Sequence, residues 1–196
     1  MTTAMPTMEL VPEDEDRETY ILNMGPQHPS THGVLRLRLH LEGERILECD
    51  PVIGYAHRAH EKMAENRDYL QFLPNTSRLD YLSGMIYNLG YCQAIEKAMQ
   101  IEVPERAEYI RIIVGELNRI SSHLLWMGTY LLDLGGITPF LYGFDDREKI
   151  LDLLDYVTGS RLTYSYGRFG GVTMDVDEVF LSNVADFCDY FRGRLE

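Results

Sequence analysis

The sequence predicts an α+β fold, a small antiparallel sheet followed by a bundle of long helices. Three observations carry this. Val34 to Glu42 alternates strictly, with Leu35, Leu37, Leu39 and Leu41 on one face and Arg36, Arg38, His40 and Glu42 on the other. From Pro104 to Asp133, apolar residues recur every three or four positions. Gly and Pro then punctuate the chain between such runs. A length of 196 residues is enough for a core that needs no disulfide or structural metal.

Element by element, residues 1–18 carry net charge −5 and read as a mobile acidic tail. Thr19 to Met24 is a short apolar strand, and Val34 to Glu42 is the second. Glu42-Gly43-Glu44 turns the chain, and Arg45 to Cys49 returns. The sheet region is therefore 19–56, and 57–196 is a helical region. His57 to Phe72 reads as one helical segment closed by Pro74. Thr76 or Ser77 is placed to cap a helix running to about Gln100. Pro104 opens the next, which Gly135, Gly136 and Pro139 stop after Asp133. Further helices are expected over Asp145 to Arg161 and Asp175 to Arg194, with a Gly170-Gly171 turn before the last.

On the helix from Pro104, Ile110, Val114, Leu117 and Leu124 line one face. The opposite side carries Ile112, Glu116, Arg119, His123, Trp126, Tyr130 and Asp133. Its second half is apolar nearly all round, which predicts burial on both sides and a buried Asp133. Such a carboxylate requires a cation or strong donor, and a histidine suits it. Tyr81, in the first turns of the preceding helix, reads as a core tyrosine with a bonded hydroxyl.

Composition excludes several classes. Eighteen Lys+Arg against 31 Asp+Glu give a net charge of −13, unlike a general nucleic-acid binder. No run of apolar residues is long enough for a membrane span, and Met1 to Met8 lacks the marks of a targeting segment. Cys49, Cys92 and Cys188 stand apart with no C-x-x-C pair, and read as small buried hydrophobes. No Walker loop, G-x-G-x-x-G, G-x-S-x-G or H-E-x-x-H is present, and no metal site is assigned. The unusual segment is Asn23 to Gly33. Its prolines stiffen it, Gly25 and Gly33 let it turn, and His28 and His32 lie between them. With Asp133, this loop makes a proton-handling site the best reading of the residues alone.

Gly25-Pro-Gln-His-Pro-Ser-Thr-His-Gly-Val-Leu-Arg36 closely resembles the signature of the D subunit of respiratory complex I. That family forms the quinone site and is homologous to the large subunit of NiFe hydrogenases. The resemblance continues through Ile53-Gly-Tyr-Ala-His-Arg58, Arg78-Leu-Asp-Tyr81, Gly115 to Leu124, Leu131-Leu-Asp-Leu-Gly135 and Arg168-Phe-Gly-Gly171. It implies a hydrogenase-large-subunit-like fold, a peripheral place on the cytoplasmic face of the cell membrane, and partners within the same complex. These partners are the iron–sulfur B subunit, the C subunit and the membrane-arm H subunit. The implied activity is proton-translocating NADH:quinone oxidoreduction by the complex. NAD(H) is used elsewhere in it, and electrons arrive from an iron–sulfur cluster held by a partner.

The resemblance also implies residue roles. His32 and Tyr81 match the groups that contact the quinone head group, and Asp133 matches the partner of the histidine. Arg58 and Arg78 match arginines near the terminal iron–sulfur cluster. Two departures stand out. Alignment on Gly159, Arg161 and Arg168 puts Thr163 where the family has a titrating histidine. The cluster potential is then expected to depend weakly on pH, compatible with a low-potential quinone such as menaquinone. Family members also run to about twice this length, so the chain reads as a truncated N-terminal half with an incomplete bundle. A hydrogenase would need thiolate ligands from paired C-x-x-C motifs, which this stretch lacks. A closer alternative is a related complex with a non-NADH donor or no quinone.

Overall fold

The computed structural model describes residues 8–9, 19–28, 31 and 33–195. The expected acidic tail lies, apart from Met8 and Glu9, outside the described residues. The chain divides into two compact units, Met1–His60 and Glu61–Glu196.

The first unit is a four-stranded antiparallel sheet in sequence order. It comprises β1 (Met8–Glu9), β2 (Thr19–Met24), β3 (Arg36–Glu42) and β4 (Arg45–Val52). Leu39 and Leu41 are buried on one face, as the alternation requires, while Arg38 on the other is exposed. β4 runs further than expected, through Pro51. It is an edge strand, where a residue without an N–H is tolerated. Gly25, between β2 and the long loop to β3, has φ +88°, and a Cβ there would lie 2.0 Å from the Leu35 carbonyl oxygen. Only glycine lets the two ends of this loop cross so closely.

The second unit is helical, in agreement with the fold class read from the sequence. It contains α1 (His60–Glu65), α2 (Tyr69–Thr76), α3 (Gly84–Met99), α4 (Glu105–Asp133), α5 (Ile137–Thr158) and α6 (Glu178–Arg194). A small hairpin, β5 (Gly167–Arg168) with β6 (Gly171–Val172), stands between α5 and α6. Met85, Val114, Ile150, Leu154 and Phe180 are fully buried at the centre of its core.

Three boundaries differ from expectation, each for a local reason. The segment from His57 splits into α1 and α2, because Asp68 adopts an extended N-cap conformation and its N–H bonds back to the Gln71 side chain at 3.3 Å. Pro74 then sits inside α2 rather than closing it. Thr76 and Ser77 do not cap α3. Their hydroxyls donate back to the carbonyls of Leu73 (2.7 Å) and Pro74 (3.3 Å), which ends α2 instead. α5 begins eight residues before Asp145, with Pro139 in its first turn, where the missing N–H costs nothing.

α4 runs over 29 residues as expected, about 43 Å. Its burial differs. Leu117, Leu124 and Gly128 are buried, but Trp126 is 64% exposed and Tyr130 55%. Among the described residues, the second half is therefore covered on one side only. Two of the three cysteines also depart from expectation: Cys92 is buried, whereas Cys49 and Cys188 are exposed.

Candidate functional site

Tyr81 stands on a short loop between α2 and α3, and the loop is held from several directions. Arg78 Nη1 donates to the Pro74 carbonyl at 2.5 Å, and the Arg78 N–H donates to Asn75 O. Asp80 Oδ1 accepts the Leu82 N–H at 3.0 Å. The decisive support comes from α4. Asn118, 1% exposed, accepts the Met85 N–H through Oδ1 and donates through Nδ2 to Leu82 O, both at 3.1 Å. Ser83 Oγ also donates to Ser122 Oγ at 3.1 Å. Gly84 closes the loop, since a Cβ there would be 3.0 Å from Ser77 O.

This anchoring changes the reading of Tyr81. It is 60% exposed, not a core tyrosine. The backbone that follows it is fixed at Leu82 and Met85 by polar contacts, and Tyr81 itself is presented outward. Arg78, three residues earlier, is exposed on the same loop. One pinned loop thus carries a phenol, a hydrogen-bond donor, and a guanidinium, a fixed positive charge.

Asp133 is the last residue of α4 and is exposed, not buried as the apolar second half predicted. The reason is the one-sided packing of that half. The carboxylate stands at the negative end of a long helix dipole, where a nearby cation is favoured.

His32 lies outside the described residues. Its loop is described at both ends. Thr31, buried, donates through its hydroxyl to His28 O at 3.1 Å. Arg36 forks onto Asn23 Oδ1 through Nε (3.2 Å) and Nη2 (2.8 Å), and its Nη1 reaches the Tyr55 hydroxyl at 3.2 Å. Arg58 is exposed in the segment after β4, beside Ala59 at φ +53°. His32 and Arg58 belong to the first compact unit; Arg78, Tyr81 and Asp133 belong to the second. Within the second unit, Thr163 is half-buried with φ +53°, an uncommon conformation for a β-branched residue.

Sequence reasoning missed the polar supports of the loops. Asn118 lies on the apolar side of α4, and Asn88, fully buried on α3, accepts the Gly167 N–H at 2.7 Å. An asparagine within an apolar helical stripe was the available signal, because burial obliges it to find partners. Among the described residues, no group of three or more His, Cys, Asp or Glu is placed to hold a metal.

Comparison with known proteins finds relatives along nearly the whole chain. Residues 133–196 match the family described as respiratory-chain NADH dehydrogenase, 49 kDa subunit. The NADH-quinone oxidoreductase D subunit of Syntrophobacter fumaroxidans is 64% identical over 97% of this chain and 50% of its own length. The D subunit of Desulfotalea psychrophila is 61% identical over 91% of this chain and 48% of its own. That of Desulforamulus reducens is 54% identical over 91% and 49%. The chain belongs to the family of the complex I D subunit. It spans about half the length of the curated relatives it matches. No helix among the described residues is long and apolar enough to cross a membrane.

Proposed function

We propose that this chain forms part of the quinone-reduction site of a proton-translocating NADH–quinone oxidoreductase, as the names of its relatives suggest. The observation that carries the reading is the outward phenol of Tyr81 on a loop pinned by Asn118. Two-electron reduction places negative charge on two quinone oxygens, and each needs a donor and then a proton. Tyr81 serves one oxygen and His32 the other. Asp133 favours the protonated form of His32 and so keeps its proton available. Arg58 and Arg78 lie toward the iron–sulfur cluster of a partner, where their charge favours electron arrival and offsets charge on the quinone. Thr163 supplies no titrating group at its position. NAD(H) is oxidised elsewhere in the complex. The partners in this reading are the B, C and H subunits, and the place is the cytoplasmic face of the cell membrane.

The test is made in the assembled complex. Tyr81→Phe and His32→Ala are each expected to lower quinone reductase activity by about tenfold or more, the scale of a lost acid–base group. NADH oxidation with an artificial acceptor should persist. Unchanged quinone turnover in both variants rejects the site.

A further inference from the structure

Tyr81 is enclosed by a turn that a neighbouring helix grips from one side. The Asp80 carboxylate accepts the Leu82 N–H at 3.0 Å, which closes the backbone over Tyr81. The far end of that turn is Leu82, whose carbonyl accepts from Asn118 Nδ2 at 3.1 Å. The same amide takes the Met85 N–H on its Oδ1, also at 3.1 Å. A planar amide that donates on one edge and accepts on the other cannot turn without losing both bonds. Asn118 is 1% exposed, so water does not replace a bond that opens. One helical turn further on, Ser122 Oγ accepts from Ser83 Oγ at 3.1 Å. Residues 82–85 are therefore clamped to α4 on one row of side chains.

The clamp joins Tyr81 to a helix that carries a second candidate of the site. α4 ends in Asp133, about 22 Å along its axis from Asn118. A rigid helix thus serves as a common frame for both. The opposite side of the loop is held by shape. A Cβ on Gly84 would lie 3.0 Å from Ser77 O, so the loop is packed back on the end of α2 and has little room to slide. The polar grip of α4 then decides the angle at which the Asp80–Leu82 turn stands.

We infer that Asn118 is a positioning residue for quinone reduction, acting through Tyr81, and that Ser122 seconds it through Ser83. The inference rests on the quinone reading of Tyr81. Asn118 touches no substrate in it; it sets where the phenol donor stands. A donor counts most in the transition state, when negative charge has grown on the quinone oxygen, and a small displacement costs more there than in the bound ground state. Loosening the clamp therefore lowers kcat and leaves KM nearly unchanged. Because the effect passes through the Tyr81 hydroxyl, it disappears when that hydroxyl is absent.

The experiment measures kcat and KM for a water-soluble short-chain quinone in the assembled complex, per amount of complex purified. Asn118→Leu, Asn118→Asp and Ser122→Ala are each made alone and together with Tyr81→Phe. Asn118→Leu should lower kcat by about tenfold, the scale of a misplaced reacting group. Asn118→Asp, which keeps the Met85 bond, and Ser122→Ala should lower it less. In the Tyr81→Phe background none of the three should lower kcat further, since residues that act as one unit are not additive. Losses that multiply with that of Tyr81→Phe overturn the inference, because they mark a general structural role. A raised KM at wild-type kcat also overturns it. If Asn118→Leu does not assemble, the two milder variants decide, and wild-type kcat in both overturns it. Unchanged turnover in Tyr81→Phe itself rejects the quinone reading and this inference with it. A loss in Tyr81→Phe beside wild-type kcat in the Asn118 and Ser122 variants rejects this inference alone.

Discussion

Glu96 and Arg111 form a buried two-point ion pair, with Arg111 Nη2 at 2.5 Å from Oε1 and Nη1 at 3.0 Å from Oε2. Both side chains also hold the β5–β6 turn. Glu96 Oε1 accepts the Gly170 N–H at 2.8 Å, while Arg111 donates to Arg168 O at 2.8 Å and Gly171 O at 2.9 Å. The pair ties α3, α4 and the hairpin together with buried charge-assisted bonds. It also fixes the backbone of the Arg168-Phe-Gly-Gly171 motif.

Arg111→Met strands the Glu96 carboxylate, and the cost should be about 3–5 kcal/mol. The double variant with Glu96→Leu should recover part of it, because the two charges are removed together, while the Gly170 N–H and the Arg168 and Gly171 carbonyls still lose their partners. Chemical denaturation of the wild type and the three variants measures this. Additive losses would show that the two residues do not act as a pair.

The same pair sets an acid limit. Burial alone would raise the Glu96 pKa, but the Arg111 bonds, the Gly170 N–H and the Arg111 charge outweigh it and hold the carboxyl below its usual range. A depressed carboxyl stabilises the fold above its unfolded pKa, and that stability is lost as pH falls through the folded value. Tm should therefore fall below about pH 4.5, and Glu96→Gln should show a shallower acid limb. Tm measured from neutral pH downward checks this, and parallel acid limbs would contradict it.

Asn118 is the support on which the Tyr81 loop depends. Asn118→Leu leaves the Met85 N–H and Leu82 carbonyl unpaired and should cost about 2–4 kcal/mol. Hydrogen exchange at Met85 should accelerate, with the effect centred on residues 81–85. Asn118→Asp keeps the acceptor for Met85 and loses the donor to Leu82, so its effect on Met85 exchange should be smaller. Equal exchange in wild type and Asn118→Leu would remove Asn118 as the anchor.

The cysteines should separate by reactivity. Burial pushes the Cys92 thiol up to about 11, with Arg111 only partly opposing it, while Cys49 and Cys188 are exposed. A thiol reagent at pH 8 should label Cys49 and Cys188 in the native protein and reach Cys92 only after unfolding. Mass spectrometry of labelled peptides decides it. Native labelling of Cys92 would contradict its place in the core.

Much of the fold is legible in the sequence because its signals are local. The alternation at Leu35 to Glu42 and the periodicity after Pro104 place β3 and α4 nearly to their ends. The differences arise where one residue type serves two purposes. Thr76 and Ser77 can cap a following helix or finish a preceding one. Pro139 can stop a helix or sit in its first turn. The candidate site is legible as residue types only. Pattern alone puts Tyr81 in the core and Asp133 in a buried stretch, and both are exposed. Periodicity reports which residues are apolar. It does not report how many sides of a helix find a partner within the chain.

The sequence by itself determined the class of fold, the order of its parts and the family, since these rest on patterns and motifs contiguous in the chain. Only the tertiary structure decided that Asn118 anchors the Tyr81 loop and that Glu96 and Arg111 meet on the Gly170 turn. These are relations between residues distant in sequence. Their cost or gain depends on burial and on the angle of a donor to its acceptor, which no local pattern encodes.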